Sequence, residues 1–259
     1  MRVTILGSGS EGNALLLESN TTSVVVDAGL SHRRVIARLR HLGRDLPRVS
    51  GVIVTHQHGD HAMHASVYAS RWSCPVHATR TTLRAIRLRD SVESRVFVAG
   101  RRFQIGDITV RTKTVPHDAP QVALVFETAA TSVGLVTDLG HVPDGLARFL
   151  HGADTLLVES NHDVDMLRNG PYPSILKQRV GGPRGHLSNA QTGDLLAELA
   201  YVPSRVVLMH LSETNNRESL ARASAEAALG HQGPKLLVAR QREPLVLPSM
   251  GSRQLQLQL

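Results

Sequence analysis

Short apolar runs closed by Gly, Asn, Asp or Pro alternate along this chain with longer segments whose apolar positions recur every three to four residues. Residues 3–6 read as a strand, and 15–18 with 23–27 as a hairpin around the turn-like Asn20-Thr21-Thr22. Ser31 opens a helix that turns Val35, Ile36 and Leu39 inward and leaves Arg33, Arg34, Arg38 and Arg40 on the remaining circumference. That basic circumference is read as a solvated face ahead of a nucleic-acid contact. Further strands are predicted over 51–54, 75–78, 96–98, 106–113, 122–128, 132–137, 155–158, 206–209 and 236–239. Helices are predicted over 62–71, from a Thr81 or Thr82 cap to Leu88, over 143–150, from a Ser188 or Asn189 cap to about Tyr201, and over 217–229. No low-complexity linker interrupts the pattern, so residues 1–259 read as one α/β domain with two similar layers. Residues 248–259 have no strong period and read as a loosely held tail.

A chain of 259 residues can bury a large core, and 41% hydrophobic with 20% charged residues suits a globular enzyme. The lone cysteine, Cys74, excludes an internal disulfide and a thiolate metal site, and no disulfide-linked partner is expected. Met1 to Gly7 reaches glycine too soon for a signal sequence and no apolar run is long enough to span a membrane, so a cytoplasmic location is expected. A formal charge of +7 favours a polyanionic partner. Only Lys113, Lys177 and Lys235 are lysines among the 29 basic residues, which leaves 26 arginines. Arginine is the better bidentate phosphate binder, although an Arg bias can equally reflect genome composition.

The densest chemistry lies in Thr55-His56-Gln57-His58-Gly59-Asp60-His61, directly after the apolar run 51–54. In a locally extended loop, residues two apart point the same way. His56 and His58 could then grip one ion while Asp60 and His61 turn toward a second. Single polar residues recur at later strand ends: His117, Asp138 and His210. Loops at one sheet edge can bring such groups together, giving five His and two Asp as candidate ligands. All-N/O donors suit Zn²⁺ first and Mn²⁺ second. Two such ions about 3.5–4 Å apart would share Asp138 and a bridging water, whose pKa would fall from about 15.7 toward about 7, giving a hydroxide nucleophile. Asp27, which closes its own strand, is better placed to accept an N–H from a ligand imidazole than to bind metal.

Gly7-Ser8-Gly9-Ser10-Glu11-Gly12 matches the dinucleotide fingerprint G-x-G-x-x-G. A nucleotide-binding crossover needs a helix after the last glycine, and here a hairpin follows instead. The run is therefore not read as a cofactor site.

The order His-x-His-x-Asp-His, then a lone His, a lone Asp and a late His, resembles the metallo-β-lactamase superfamily of metal-dependent hydrolases. Four further runs are similar to its YycJ/WalJ branch, regarded as DNA exonucleases: residues 6–10, 159–163, 166–173 and 185–189, together with His210-Leu211-Ser212. The resemblance implies an αββα sandwich in which His56, His58 and His117 hold one metal, Asp60, His61 and His210 hold the second, and Asp138 bridges. It places Asp60 and His186 among the catalytic groups. His186 resembles the additional histidine of phosphodiesterase members, including tRNA 3′-processing RNase Z, that protonates the leaving oxygen. Phosphodiester cleavage expels an alkoxide that needs a proton, which gives this role an independent motive. His32, His41, His64, His77, His141, His151, His162 and His231 fit no such pattern, with His162 the one placed near the candidate cleft.

A complete ligand set argues against a catalytically inert module. A strongly basic chain favours a long polyanion over a small phosphodiester or an acyl substrate. Only 3% of residues are aromatic, which argues against extensive base stacking and for backbone contacts. The expected activity is 5′ to 3′ DNA exonuclease, in a repair setting, with DNA favoured over RNA. An RNA-processing nuclease or small-molecule phosphodiesterase is the alternative, and a lactonase or thioesterase-type hydrolase a more distant one.

Overall fold

The computed structural model describes residues 1–230 and 233–249. The chain opens with β1 (Arg2–Gly7), β2 (Ala14–Glu18), β3 (Ser23–Val26), α1 (His32–His41) and β4 (Gly51–Ile53). A helical turn, α2 (Gly59–Ala62), leads to α3 (Ala65–Trp72), β5 (Val76–Thr79), α4 (Arg80–Ala85) and β6 (Ser94–Phe97). Next come β7 (Arg102–Ile105), β8 (Ile108–Val115), β9 (Gln121–Glu127), β10 (Ser132–Val136), α5 (Leu146–Leu150) and β11 (Thr155–Glu159). The last stretch holds α6 (Val164–Asn169), α7 (Ser174–Val180), α8 (Asn189–Ala197), β12 (Arg205–Met209), α9 (Glu218–Leu229), β13 (Lys235–Val238) and β14 (Leu245–Leu247).

Two seven-stranded mixed sheets result, one ordered β14-β1-β2-β3-β4-β5-β6 and the other β13-β12-β11-β10-β9-β8-β7. Strand alternation explains how they stack. Leu15, Leu17, Val24 and Val26 of the first sheet meet Leu124, Phe126, Leu135 and Leu157 of the second in one central core. The intervening residues Leu16 and Val25 face outward and pack with Val35 and Leu39 of α1 and Tyr68 of α3. On the other side, Val125, Leu156 and Leu208 pack with Leu150 of α5, Leu195 of α8 and Ala225 of α9. Both sheets are thus covered on both faces, which is why their strands read as unbroken apolar runs. The architecture is the expected αββα sandwich.

Several local expectations shift. The cap of α4 is Thr79, whose hydroxyl accepts from Thr82 N at 3.2 Å, so this helix starts before Thr81. Helix α8 stops at Ala197 rather than near Tyr201, although its Ser188 cap and Gln191 form a capping box. Strands β7 and β14 and helices α6 and α7 were not predicted; each is short, and Gly170, Pro171 and Pro173 break the pattern between the two helices. Residues 250–259 of the expected tail, and His231, lie outside the described residues.

Candidate metal centre

Three non-glycine residues just past strand ends hold a left-handed backbone: Asp27 after β3 (φ 61°), Asp138 after β10 (φ 53°) and His210 after β12 (φ 55°). Asp and His are among the few side chains that tolerate this conformation, and it persists where the surroundings fix it. Here the fixing contacts come from polar side chains gathered at one end of the sandwich.

His56, His58 and His117 form the first cluster, with one ring nitrogen from each within 4.8 Å of the others. His117 Nδ1 donates to Gly185 O at 3.0 Å, and its Nε2 lies 3.2 Å from both His58 Nδ1 and Asp118 Oδ1. His58 Nε2 lies 3.1 Å from the same Asp118 oxygen. His56 Nδ1 lies 3.1 Å from the Thr55 hydroxyl, which itself donates to Asp27, and His56 Nε2 is buried with no hydrogen-bond partner.

Asp60, His61 and His210 form the second cluster. The segment is not extended here: Gly59 to Ala62 make the α2 turn, with His58 at its N-cap position, and the turn brings His61 back beside His56, with ring centroids 4.3 Å apart. His61 Nδ1 donates to Asp27 Oδ2 at 2.7 Å, turning Nε2 toward Asp138 Oδ2 at 2.7 Å. His210 Nε2 lies 3.5 Å from Asp60 Oδ2 and is otherwise buried without a hydrogen-bond partner. Asp138 stands between the clusters, grouped with His56 and His61 through one set of donor atoms and with His186 and His210 through another.

Glu159 is a site residue that sequence reasoning missed. It ends β11 beside Met209 of β12 and is fully buried. Its Oε1 accepts from His186 Nδ1 at 2.7 Å and from His210 Nδ1 at 3.0 Å. Its Oε2 accepts backbone N–H groups of Leu139 and Leu187 at 3.2 and 3.1 Å. A charged residue directly after the wholly apolar Leu156-Leu157-Val158 was the available signal. Asp118 was also missed: it accepts from Arg179 Nε at 2.8 Å while its other oxygen lies against His58 and His117. His186, Asp60, His58, His117, Asp138 and His210 line one cleft of about 420 Å³ with Tyr172, Leu176 and Arg179.

The residues fit divalent cations. His56 Nε2 and His210 Nε2 are buried ring nitrogens without hydrogen-bond partners, which is costly unless a ligand takes them. Oxygen and nitrogen donors alone converge here, and Cys74 is buried elsewhere, among the residues packed between the first sheet and its helices. Charge tells the same story. Burial holds His56 well below the ordinary imidazole value, reinforced by His61. Burial also opposes charge on His61, but Asp138 and Asp27 outweigh it and hold that imidazole well above its ordinary value. Asp138 is held well below the carboxylate range despite its burial, by His210 and His61. Without an ion, protons on imidazoles balance buried carboxylates; a cation would take the place of those protons.

The family model described as "Beta-lactamase superfamily domain" matches residues 22–211, most of the chain. The chain belongs to the metallo-β-lactamase superfamily. Among curated relatives, the exodeoxyribonuclease WalJ of Streptococcus pneumoniae serotype 2 is 34% identical over 243 residues, covering 88% of this chain and 90% of its own. The exodeoxyribonuclease YycJ of Bacillus anthracis is 34% identical over 239 residues, covering 90% of each chain. Two solved structures share the fold. The metallo-β-lactamase fold protein YhfI of Bacillus subtilis gives a TM-score of 0.73 at 16% identity, covering 95% of this chain and 99% of its own. Zn²⁺-bound PqqB of Methylobacterium extorquens gives 0.73 at 20% identity, covering 96% of this chain and all of its own.

Within the superfamily fold, the glycine-rich loop after β1 braces the centre rather than cradling a nucleotide. Asn13 N donates to Asp60 O at 2.7 Å, and Asn13 Nδ2 lies 2.9 Å from His61 Nε2. Gly12 (φ 134°) and Gly29 allow this: a Cβ on Gly29 would lie 1.7 Å from Asp60 O. His162 is buried, does not line the cleft, and is pushed down to about 4 by that burial.

Proposed function

We propose that this protein is a metal-dependent 5′ to 3′ DNA exonuclease, acting in the cytoplasm and in DNA repair. His56, His58 and His117 would hold one divalent ion, Asp60, His61 and His210 a second, and Asp138 both. Zn²⁺ is the first choice on donor chemistry and Mn²⁺ the second. When bound, such ions supply Lewis-acid activation of water and of the phosphoryl oxygens. The protein's own residues do the rest. Asp27 and Thr55 orient His61 and His56. Asp60, ionised in spite of its burial because His210 and His61 face it, accepts a hydrogen bond from the attacking water and orients it. Arg179, turned to the cleft by Asp118, meets the phosphate of the substrate strand. His186 donates to the departing 3′-oxygen from Nε2 while Glu159 holds its Nδ1–H.

The observation that carries this reading is the His186–Glu159 pair. There a histidine that lines the cleft donates its Nδ1–H to a buried carboxylate, and a phosphodiesterase needs such a group more than a lactam or lactone hydrolase does. The two relatives named exodeoxyribonuclease support DNA as the polymer. Protein loaded with Zn²⁺ or Mn²⁺ is incubated with single- and double-stranded DNA and RNA labelled at either end, alongside bis(p-nitrophenyl) phosphate and a lactone. A ladder of products released from the 5′ end of DNA is expected. Turnover of the small diester with every polymer left intact would move the assignment to a small-molecule phosphodiesterase.

A further inference from the structure

The cleft does not end at the candidate metal centre. It shares Ser10, Gly59 and Asp60 with a neighbouring cavity of about 460 Å³ that reaches Arg34, Met63 and His64. That cavity in turn shares Ser31 and His64 with a groove of about 520 Å³ between α1 and α3. One trough therefore runs from the centre along the helices that cover the first sheet. Helical spacing builds its walls: Arg33, Ala37 and Arg40 recur along one face of α1, and His64, Val67 and Arg71 along the facing side of α3.

The trough is basic and open. Arg33, Arg34, Arg40 and Arg71 are exposed, and none of them forms an ion pair within 4.0 Å among the described residues. The acids that line it are two. Asp60 belongs to the centre, and Glu11 is engaged by Arg242 at 2.6 Å. The charge is concentrated enough that Arg71 and Arg34 reinforce burial in pushing His32 and His64 down. The floor is apolar, from Ile36, Ala37 and Val67, and Met63 stands 70% exposed where the trough leaves the centre. Unpaired guanidinium groups over an apolar floor match a chain of phosphates whose sugars and bases face the protein, and they suit neither a neutral nor an acidic-residue-free peptide.

We infer that the α1–α3 trough is the track for the uncleaved remainder of the substrate DNA strand, held by Arg33, Arg34, Arg40 and Arg71 through its phosphates. The inference rests on the nuclease reading and adds the path of the polymer to it. The arginine circumference of α1 is then a binding surface and not merely a solvated face. Contacts are to backbone, so they set length dependence and processivity and not sequence preference.

The test uses the triple variant Arg33→Ala/Arg40→Ala/Arg71→Ala, with Arg84→Ala/Arg87→Ala/Arg89→Ala, outside the trough, as control. Binding of a phosphorothioate DNA 20-mer, which resists cleavage, is followed by fluorescence anisotropy over a range of salt. The trough variant should bind about tenfold or more weakly and lose about 2 from its log–log salt slope, at about 0.7 per phosphate contact on a single strand. Its turnover of bis(p-nitrophenyl) phosphate should stay at the wild-type level, as should DNA binding by the control. The wild-type protein gives a second readout that needs no variant: affinity should climb as the strand is lengthened from two nucleotides and level off once the trough is filled. A Kd and salt slope matching wild type, equal weakening in the control, or affinity independent of length would each overturn the track. Wild-type protein that hydrolyses the small diester but neither binds nor cuts any oligonucleotide would instead overturn the nuclease reading itself.

Discussion

Glu159 Oε1 lies 2.7 Å from His186 Nδ1, and the same oxygen lies 3.0 Å from His210 Nδ1. One buried carboxylate therefore sets the tautomer of two histidines with different proposed tasks, one a proton donor and the other a metal ligand. Burial disfavours the charge on Glu159, but His186 and the hydrogen bonds from both rings hold its pKa down at about 2. Glu159→Gln keeps the shape and removes that charge. Activity or metal affinity should fall about 10- to 100-fold, the usual cost of losing an outer carboxylate behind a ligand histidine. Enzyme kinetics with metal titration checks this, and circular dichroism should show the fold retained.

His186→Ala removes the proposed proton donor while leaving all seven candidate ligands. Turnover on DNA should drop by about 10² to 10⁴ with metal content unchanged. A substrate carrying a better leaving group, such as a p-nitrophenyl phosphodiester, should lose much less, because its departing oxygen needs little protonation. Equal losses on both substrates would remove the general-acid role.

Arg179 bridges the cleft wall to Asp118 at 2.8 Å, and its side chain is 60% exposed, free to meet a ligand. Arg179→Ala should raise KM for DNA about 3- to 10-fold with kcat little changed, the signature of binding shared by ground and transition state. Arg179→Lys should recover only part of this, because a lysine lacks the planar fork. Steady-state kinetics on a labelled strand separates the two parameters.

The sheets, and the side chains that gather at the candidate centre, were legible in the sequence for one reason: both report strand ends. Apolar runs such as Val24-Val25-Val26 and Leu156-Leu157-Val158 stop abruptly at Asp27 and Glu159, and the structure turns sharply or buries a charge at those points. The α2 turn was not legible, because His58-Gly59-Asp60-His61 carries no helical period and owes its shape to Asn13 and Gly29 pressing on Asp60 from far along the chain. Glu159 and Asp118 were hidden for a related reason. Both act through other side chains: Glu159 meets His210 only once β11 and β12 lie side by side, and Asp118 meets His58 and Arg179 only once the loops after β4 and β8 and helix α7 come together. Helix α7 was missed because it buries no residue of its own and so shows no apolar stripe.

His77 offers a stability test away from the centre. Its ring, 4% exposed and stacked on Phe103 at 5.8 Å, is pushed down to about 4 by burial, with Arg95 adding to the effect. The unfolded chain then binds the extra proton between about pH 6.5 and 4, so stability should fall as pH falls through that window and level off below it. The shift corresponds to at most about 3 kcal/mol. Urea unfolding of wild type and His77→Leu at pH 7 and pH 4 should show the wild type losing more stability by roughly this amount. Parallel losses would assign the acid sensitivity to other groups.

The central claim is that imidazoles and carboxylates from β4, β8, β10 and β12 ends close around two divalent ions sharing Asp138. Elemental analysis of protein reconstituted with Zn²⁺ or Mn²⁺ and freed of excess metal tests it most directly, with Asp138→Ala measured in parallel. Two ions per chain in the wild type, and a clear loss in Asp138→Ala, is the predicted result. No bound transition metal in the wild type, or two ions retained without the Asp138 carboxylate, would contradict it.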